Sequence, residues 1–440
     1  MSARAFPAGL FAGQRYAVVG LGRAGLPAAR VLAAMGAEVT VWDDKPAARE
    51  AATGLVVAEP DVHAIDALIL SPGIPHLLPK PHPVAVAARE AGVPILSDAD
   101  LLYRAVREAG SKARFVGITG TNGKSTTTAL VAHILAEAGV PSAAGGNLGE
   151  ASLSLGLLPD NGVYVLEMSS YMLERLADLR FDAAAMLNLS ADHIDRHGDM
   201  AGYAAAKRHI FDRQTASDLA VIGRDDALSR AMAENHGPAR LVPISEHDAP
   251  IAAAATLPGT HNAQNIAAAT ALCRAMGLPD AAIAAGISSY PGLPHRQEIV
   301  ATSPDGVVWV NDSKATTADS AARALGCYER LIWIAGGMAK EGGIEPLVEF
   351  FPRIQHALLI GRDAPMFAET LRRHGVAFTM AETLERAVAK AAKLIPTLRP
   401  LPQAVLLSPA TASWDQFTGY DQRGDRFRDF ARAVAMAEAS

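Results

Sequence analysis

The chain has only two cysteines, Cys273 and Cys327, among 440 residues, with no C-x-x-C pair and no histidine at ligand spacing from either. That excludes a disulfide framework and a cysteine zinc site, and both thiols are expected to be buried in a reducing compartment. No run approaches the ~18 uninterrupted apolar residues that cross a bilayer, and residues 6–11 are too short and interrupted for a secretion signal. A soluble, cytoplasmic protein without a membrane partner is expected. No dense Lys/Arg block exists to neutralise a phosphate backbone, and 46 acidic residues outnumber 40 basic ones for a net charge of −6, which excludes nucleic acid. Aromatics are few at 5%, yet half the residues are hydrophobic and a fifth charged, so the chain is neither disordered nor fibrous. At roughly 150 residues per domain the length predicts about three domains.

From residue 16 onward short β-rich runs alternate with Ala-rich helical stretches, the pattern of parallel α/β layers. Strand-like runs at 16–20, 38–42 and 67–70, with helices at 26–35 and 84–91, make one α/β unit over 1–110. After a polar segment at 107–114, strands at 115–118, 163–166, 183–187 and 219–222 make a second unit over 111–297. Beyond the turn-forming residues 290–294, strands at 307–310, 331–334, 357–360 and 404–407 make a third over 298–440. The expected fold class is therefore α/β with three domains: a Rossmann-like first, a central P-loop ATPase-like second and a Rossmann-like third.

Gly20-Leu-Gly22-Arg-Ala-Gly25 follows a strand and opens a helix, and Asp43 and Asp44 end the next strand. Glycines there let the backbone approach a diphosphate seated on a helix N-terminus. The spacing does not choose between a dinucleotide and a UDP-sugar, and the acidic pair suits a ribose or a base edge. Ser71-Pro72-Gly73, after the third strand, faces the same crevice. In the second unit Gly120-Thr121-Asn122-Gly123-Lys124-Ser125-Thr126 again lies between strand and helix. Backbone N–H groups in such a loop cradle phosphates, Lys124 neutralises the β/γ oxygens, and the Ser125 or Thr126 hydroxyl reaches Mg²⁺.

Glu167 follows one strand and Asn188-Leu-Ser-Ala-Asp192-His193 another, so carboxylate and imidazole groups reach the sheet edge where ligands bind. Glu167, His193 and Ser125 are candidate Mg²⁺ ligands. Lys207 lies on a helix just beyond. It reads either as a surface lysine or as a buried amine of lowered pKa that adds CO₂ to become a carbamate ligand for Mg²⁺.

The compact Gly-Thr-Asn-Gly-Lys-Ser-Thr loop resembles that of the Mur ligase and folylpolyglutamate synthetase superfamily. Further matching pieces are Gly145-Gly146-Asn147, Glu167-Met-Ser-Ser, His261-Asn262-Ala-Gln-Asn265, Gly292-Leu-Pro-His295-Arg296, Asn311-Asp-Ser-Lys314-Ala-Thr316 and Ser408-Pro-Ala-Thr-Ala-Ser413. Over essentially its whole length the chain resembles a Mur ligase of the D-glutamate-adding branch, to which Asn-Asp-Ser-Lys-Ala-Thr is most specific. Met172 stands where the family often has Gln, and Lys340 lacks the acidic residue often found before it.

The resemblance implies ATP-dependent joining of D-glutamate to UDP-N-acetylmuramoyl-L-alanine through an acyl phosphate, in the cytoplasmic stage of peptidoglycan synthesis. It implies ATP and two Mg²⁺ ions, carbamylation of Lys207, and a monomer. Catalysis would fall to Lys124, Glu167, His193 and Lys207, with His193 orienting the amine or binding metal. Asn265 and Arg296 would hold adenine and its ribose end, and Asp312 the ribose or phosphates. Asn147 and His193 would face the UDP-linked substrate, while Lys314, Thr316, Lys340, Ser413 and Tyr420 would line the glutamate pocket. A folylpolyglutamate synthetase is disfavoured by the diphosphate loop that precedes the ATP loop. An NAD-dependent dehydrogenase leaves the second phosphate loop unexplained. A nucleotide-sensing switch gives no reason for Glu167, His193 and Lys207 to meet.

Overall fold

The computed structural model describes residues 3–248, 250–254, 256–340 and 342–438. They form two compact units, one comprising residues up to 252 with 263–289, the other 253–262 with the chain from 290 onward. The first unit carries two parallel sheets and the second carries one mixed sheet.

The first sheet contains β1 (Arg15–Val19), β2 (Glu38–Trp42), β3 (Val56–Val57), β4 (Ala67–Leu70) and β5 (Ile95–Leu96) in the order β3-β2-β1-β4-β5. β4 is buried at all four residues, as expected for a strand covered by helices on both faces. Chain progress reverses direction between β1 and β4, so the crevice at their carboxyl ends is the topological switch point. The following helix, Asp98–Glu108, starts where Ser97 Oγ accepts from the Ala99 N–H, with Asp98 and Asp100 favourably placed against the dipole. Asp100 also accepts from the N–H groups of Ala177, Asp178 and Leu179, tying this helix to the second sheet's loops.

The second sheet holds β6 (Arg114–Thr119), β7 (Ser142–Gly146), β8 (Val163–Glu167), β9 (Ala183–Met186), β10 (Leu219–Gly223) and β11 (Arg240–Ile244) in the order β11-β10-β9-β6-β8-β7. β6 lies between β8 and β9, which sets the phosphate loop between Glu167 and the Asn188–His193 stretch. The third sheet contains β12 (Glu298–Thr302), β13 (Val308–Asn311), β14 (Leu331–Gly336), β15 (Ile354–Ile360), β16 (Phe378–Glu382) and β17 (Ala404–Leu407) in the order β12-β13-β17-β14-β15-β16. Only β12 runs antiparallel, against β13.

Several strands lack the apolar run that betrays the others. β7 reads Ser-Ala-Ala-Gly-Gly, without a β-branched residue, and β11 contains Pro243, tolerated because it sits at a sheet edge. β12 and β16 are edge strands with mostly unburied residues. No helix among the described residues is long and apolar enough to cross a membrane. The expectation for the cysteines needs correction at one position. Cys273 is buried, whereas Cys327 is partly exposed beside Gln297 Oε1 at 3.2 Å, because it sits just beyond the end of helix Ala318–Leu325 rather than within it. Burial pushes each thiol up to about 12, which disfavours the thiolate.

Candidate active site

The first crevice is built by three glycines with different tasks. Gly20 has φ +90° and a Cβ there would meet Ser71 Cβ and Ile74 Cδ1 at 2.7 Å. A Cβ on Gly25 would stand 1.9 Å from the Gly20 carbonyl, so strand and helix close only over hydrogen. Gly22 has nothing within 4 Å of an added Cβ and lines an open cavity of about 550 Å³. Gly20, Asp43, Asp44, Ser71, Pro72, Gly73 and Asn147 line the same cavity, and Gly25 lines a small pocket on Ser71 and Pro72. His193 is not among the residues lining either.

Asp43 is also tied into the glycine loop. Its Oδ2 accepts from the Leu21 N–H at 2.7 Å and its Oδ1 from the Lys45 N–H at 2.9 Å, so the carboxylate fastens the glycine loop to the end of β2. Asp44 is largely exposed and lies 3.2 Å from His82 Nε2. The geometry yields a clean test. Gly22→Val puts its side chain into the cavity without backbone strain, and affinity for a ligand of this crevice should fall at least about tenfold by titration calorimetry while affinity for a ligand of the second loop stays level.

The second loop is held from outside. Gly120 and Gly123 have φ +147° and +83°, and a Cβ on Gly123 would come 2.2 Å from Asn265 Oδ1. Asn188 accepts from the Thr121 N–H through its carbonyl and from the Asn122 N–H through its Oδ1, and its amide passes on to Gln264, which donates to Asp225. The helix Lys124–Glu137 that follows has as its N-cap Gly123, which has no side chain of its own to cap it. Ser125 is buried and Thr126 half-buried in its first turn, and Lys124 Nζ donates to the carbonyls of Gly120 and Thr121 at 2.8 and 2.7 Å.

Lys207 is not a surface lysine: it is 1% exposed, donates to the Gly120 carbonyl at 2.9 Å and to Thr119 Oγ1 at 3.3 Å, and lies 4.7 Å above the Tyr203 ring. Desolvation, reinforced by the charge of Lys124, holds its pKa well below the usual lysine value against the opposing pull of Asp192 and Glu167. Glu167 is 2% exposed; its Oε1 accepts from Asn147 Nδ2 at 2.7 Å, while its buried Oε2 has no hydrogen-bond partner. His193 adopts left-handed backbone, φ 53°, and its half-exposed ring packs edge-on to Tyr171 with Nε2 3.3 Å from Asp192 Oδ2. Desolvation keeps the imidazole pKa low, so the ring is neutral near pH 7. Among the described residues no three His, Cys, Asp or Glu side chains form a metal cluster by themselves. The buried, unpartnered Glu167 Oε2 is an oxygen whose chemistry suits a hard cation.

In the second compact unit, three loops leave the carboxyl ends of the adjacent strands β13, β17 and β14. Asp312 is buried and spends both oxygens inside the unit, Oδ2 on the Ser408 hydroxyl at 2.7 Å and Oδ1 on the Gln297 N–H at 3.2 Å. Burial pushes its pKa up to about 7. These bonds make Asp312 a brace that fixes the backbone beside Arg296. Lys314 Nζ sits 3.8 Å from the Tyr420 ring centroid, and Thr316 is half-buried two residues on. Ser413 is buried, Lys340 is exposed, and Met338 pairs with Ala412 through two backbone hydrogen bonds that join their loops. Asn265 belongs with the phosphate loop of the first unit and Arg296 with the second.

Sequence reasoning passed over the Asn188–Gln264–Asp225 relay, although two of its members stood inside quoted motifs. It also passed over Arg175, which is 2% exposed and whose guanidinium donates to the first crevice wall.

A family model described as the Mur ligase middle domain matches residues 118–254. The chain is 47% identical to the UDP-N-acetylmuramoylalanine--D-glutamate ligase of Paramagnetospirillum magneticum, over 98% of this chain and 99% of that one. It is 44% identical to the enzyme of the same name from Caulobacter vibrioides, over 95% of each. Among solved structures it resembles a UDP-N-acetylmuramate-alanine ligase from Thermotoga maritima at a TM-score of 0.57 and 18% identity, covering 96% of this chain and 99% of that one. MurF from Acinetobacter baumannii gives 0.59 at 16% identity, over 96% and 91%. The structural likenesses speak for the fold alone, but the sequence relatives decide the family: the chain belongs to the UDP-N-acetylmuramoylalanine--D-glutamate ligases, within the Mur ligases.

Proposed function

We propose that the chain joins the amine of D-glutamate to the terminal carboxyl of UDP-N-acetylmuramoyl-L-alanine, converting ATP to ADP and phosphate. The observation that carries this reading is the setting of the phosphate loop. It lies between a buried carboxylate with an unpartnered oxygen, Glu167, and a buried, neutral-leaning lysine, Lys207, in the same compact unit as an open diphosphate crevice. We assign residues 1–110 to the nucleotide-sugar, 111–297 to ATP and 298–440 to glutamate, in a cytoplasmic monomer.

A carboxylate is a poor electrophile at neutral pH. Its oxygen attacks the γ-phosphorus, the bond to ADP breaks, and an acyl phosphate results. The glutamate amine then attacks the acyl carbon, loses a proton, and inorganic phosphate leaves. Lys124 turns its ammonium onto the transferred phosphoryl group, and the loop's N–H groups, fixed by Asn188, need no reorganisation as charge shifts toward ADP. His193, neutral near pH 7, orients the amine or takes its proton. Mg²⁺, which Glu167, Ser125, His193 and carbamylated Lys207 would hold, supplies charge neutralisation on the β/γ oxygens. Lys207 meets the chemical requirement for carbamylation: a neutral amine adds to CO₂, forming an N–C bond and releasing one proton.

ADP release measured with ATP, the UDP-linked substrate and D-glutamate, each omitted in turn, tests the assignment. Release should need all three. Tight NAD binding without binding of the UDP-linked substrate would overturn it in favour of a dehydrogenase. Lys314 and Lys340 should each contribute roughly 1.5–3 kcal/mol through charge-assisted bonds to glutamate carboxylates. Lys340→Met should accordingly raise the glutamate KM at least about tenfold and leave binding of the UDP-linked substrate intact. An unchanged KM removes Lys340 from the pocket.

A further inference from the structure

The wall of the first crevice after β4 is held by two arginines that come from the second sheet's loops. Arg175 NH1 donates to the carbonyls of Leu70 and Ser71 at 2.7 and 3.1 Å, and its NH2 to that of Ile74 at 2.6 Å. Arg196 donates to the carbonyls of Gly73 and Pro72 at 3.2 and 3.4 Å, its guanidinium lying 4.2 Å from the Tyr171 ring centroid. Every carbonyl from 70 to 74 therefore accepts from one arginine or the other. Arg175 Nε reaches His76 Nδ1 at 3.3 Å, and burial holds that imidazole neutral and able to accept. Ser71 relays the grip, its hydroxyl donating to the Gly20 carbonyl at 2.6 Å on the opposite wall.

A guanidinium 2% exposed and bonded mainly to neutral carbonyls is a costly way to hold a loop, since an apolar side chain would fill the same space without desolvating a charge. What the fork adds is geometry: planar donors fix several carbonyls at once. Both arginines also sit close to the phosphate site in sequence. Arg175 follows helix Ser170–Leu173, whose N-cap Ser169 is two residues past Glu167, and Arg196 is three residues past His193. Glu174 completes the arrangement, 3.2 Å from His197 Nδ1 and 3.9 Å from His76 Nε2.

We infer that Arg175 and Arg196 are positioning residues that hold the 70–74 wall in its binding shape and so determine affinity for the nucleotide-linked substrate, an inference resting on the function proposed for that crevice. Preorganising a wall lowers the ordering cost of binding and leaves the chemical step alone.

The test is steady-state kinetics on the full chain. Arg175→Met should raise the KM for the UDP-linked substrate at least about tenfold, with the ATP KM within about twofold and kcat at saturation retained. Arg175→Lys and Arg196→Lys, which keep charge but lose the fork, should shift the same KM in the same direction. In Arg175→Ala, millimolar guanidinium should restore part of the affinity, which a merely structural loss would not show. If Arg175→Met fails to fold by circular dichroism, the two lysine variants decide by the same split. Folded variants with wild-type KM for both nucleotides, or with both raised equally, would overturn the inference. Wild-type enzyme inactive toward the UDP-linked substrate would overturn the functional assignment instead.

Discussion

Lys124→Ala is expected to lower kcat by at least ~10³-fold, the scale of loss seen when a preorganised charge partner of the reacting group is removed. The ammonium now caps the carbonyls of Gly120 and Thr121, a short swing from where a β/γ-phosphate bound on the loop would lie. Asn188 still anchors the N–H groups of Thr121 and Asn122 in the variant, so the loop should keep its shape and ATP should still bind, more weakly. Single-turnover ADP release, with unfolding followed by circular dichroism, separates the two effects. Near-wild-type turnover in a folded variant would remove the phosphate-binding role from this loop.

The second large effect concerns Lys207. Wild-type enzyme stripped of bicarbonate should lose most of its activity and regain it when bicarbonate returns, and Lys207→Ala should be almost inactive under both conditions. The sign follows from the burial of the amine. Desolvation lowers its pKa, which raises the neutral fraction able to add CO₂ near neutral pH, whereas a solvated lysine would stay protonated there. A carbamate would put an anion beside Lys124 and supply oxygens. Lys207→Arg keeps the cation and cannot be carbamylated, so it should be inactive too. Its larger head must also fit a 1% exposed site, which makes the bicarbonate dependence of the unmodified chain the sharper measurement. Activity unaffected by bicarbonate, or an active arginine variant, would leave Lys207 as an unmodified buried amine hydrogen-bonded to Gly120.

The two glycine loops were legible because each must be a short glycine string between a buried apolar strand and a helix, and both constraints act within about ten residues. The Asp43 spacing was equally legible, but its task was not. A carboxylate at the end of β2 that meets the Leu21 N–H looks the same in sequence as one awaiting a ribose. The bonds of Asp312 were hidden in the same way, with its partners Ser408 and Gln297 lying 96 and 15 residues off. The Asn188–Gln264–Asp225 relay and the arginines of the crevice wall left no trace, since side-chain hydrogen bonds across a fold impose no period. β7 was hidden by its own composition, because an edge strand of Ser, Ala and Gly is held by its backbone ladder to β8 rather than by side-chain burial.

The order of the third sheet has a consequence for synthesis. β17 lies between β13 and β14, and Val308 pairs with Ala404 about a hundred residues further along. Until 404–407 has left the ribosome, β12-β13 and β14-β15-β16 are two half-sheets with no shared edge. At the usual ~5–20 residues per second, β13 waits roughly 5–20 s with that edge unpaired, the condition that invites chaperones and favours association with other nascent chains. Both phosphate loops precede this interval, and the Ser408–Ser413 stretch follows it. Interrupted translation would therefore yield fragments that carry both glycine loops but lack β17 and the Ser408–Ser413 stretch that leaves it.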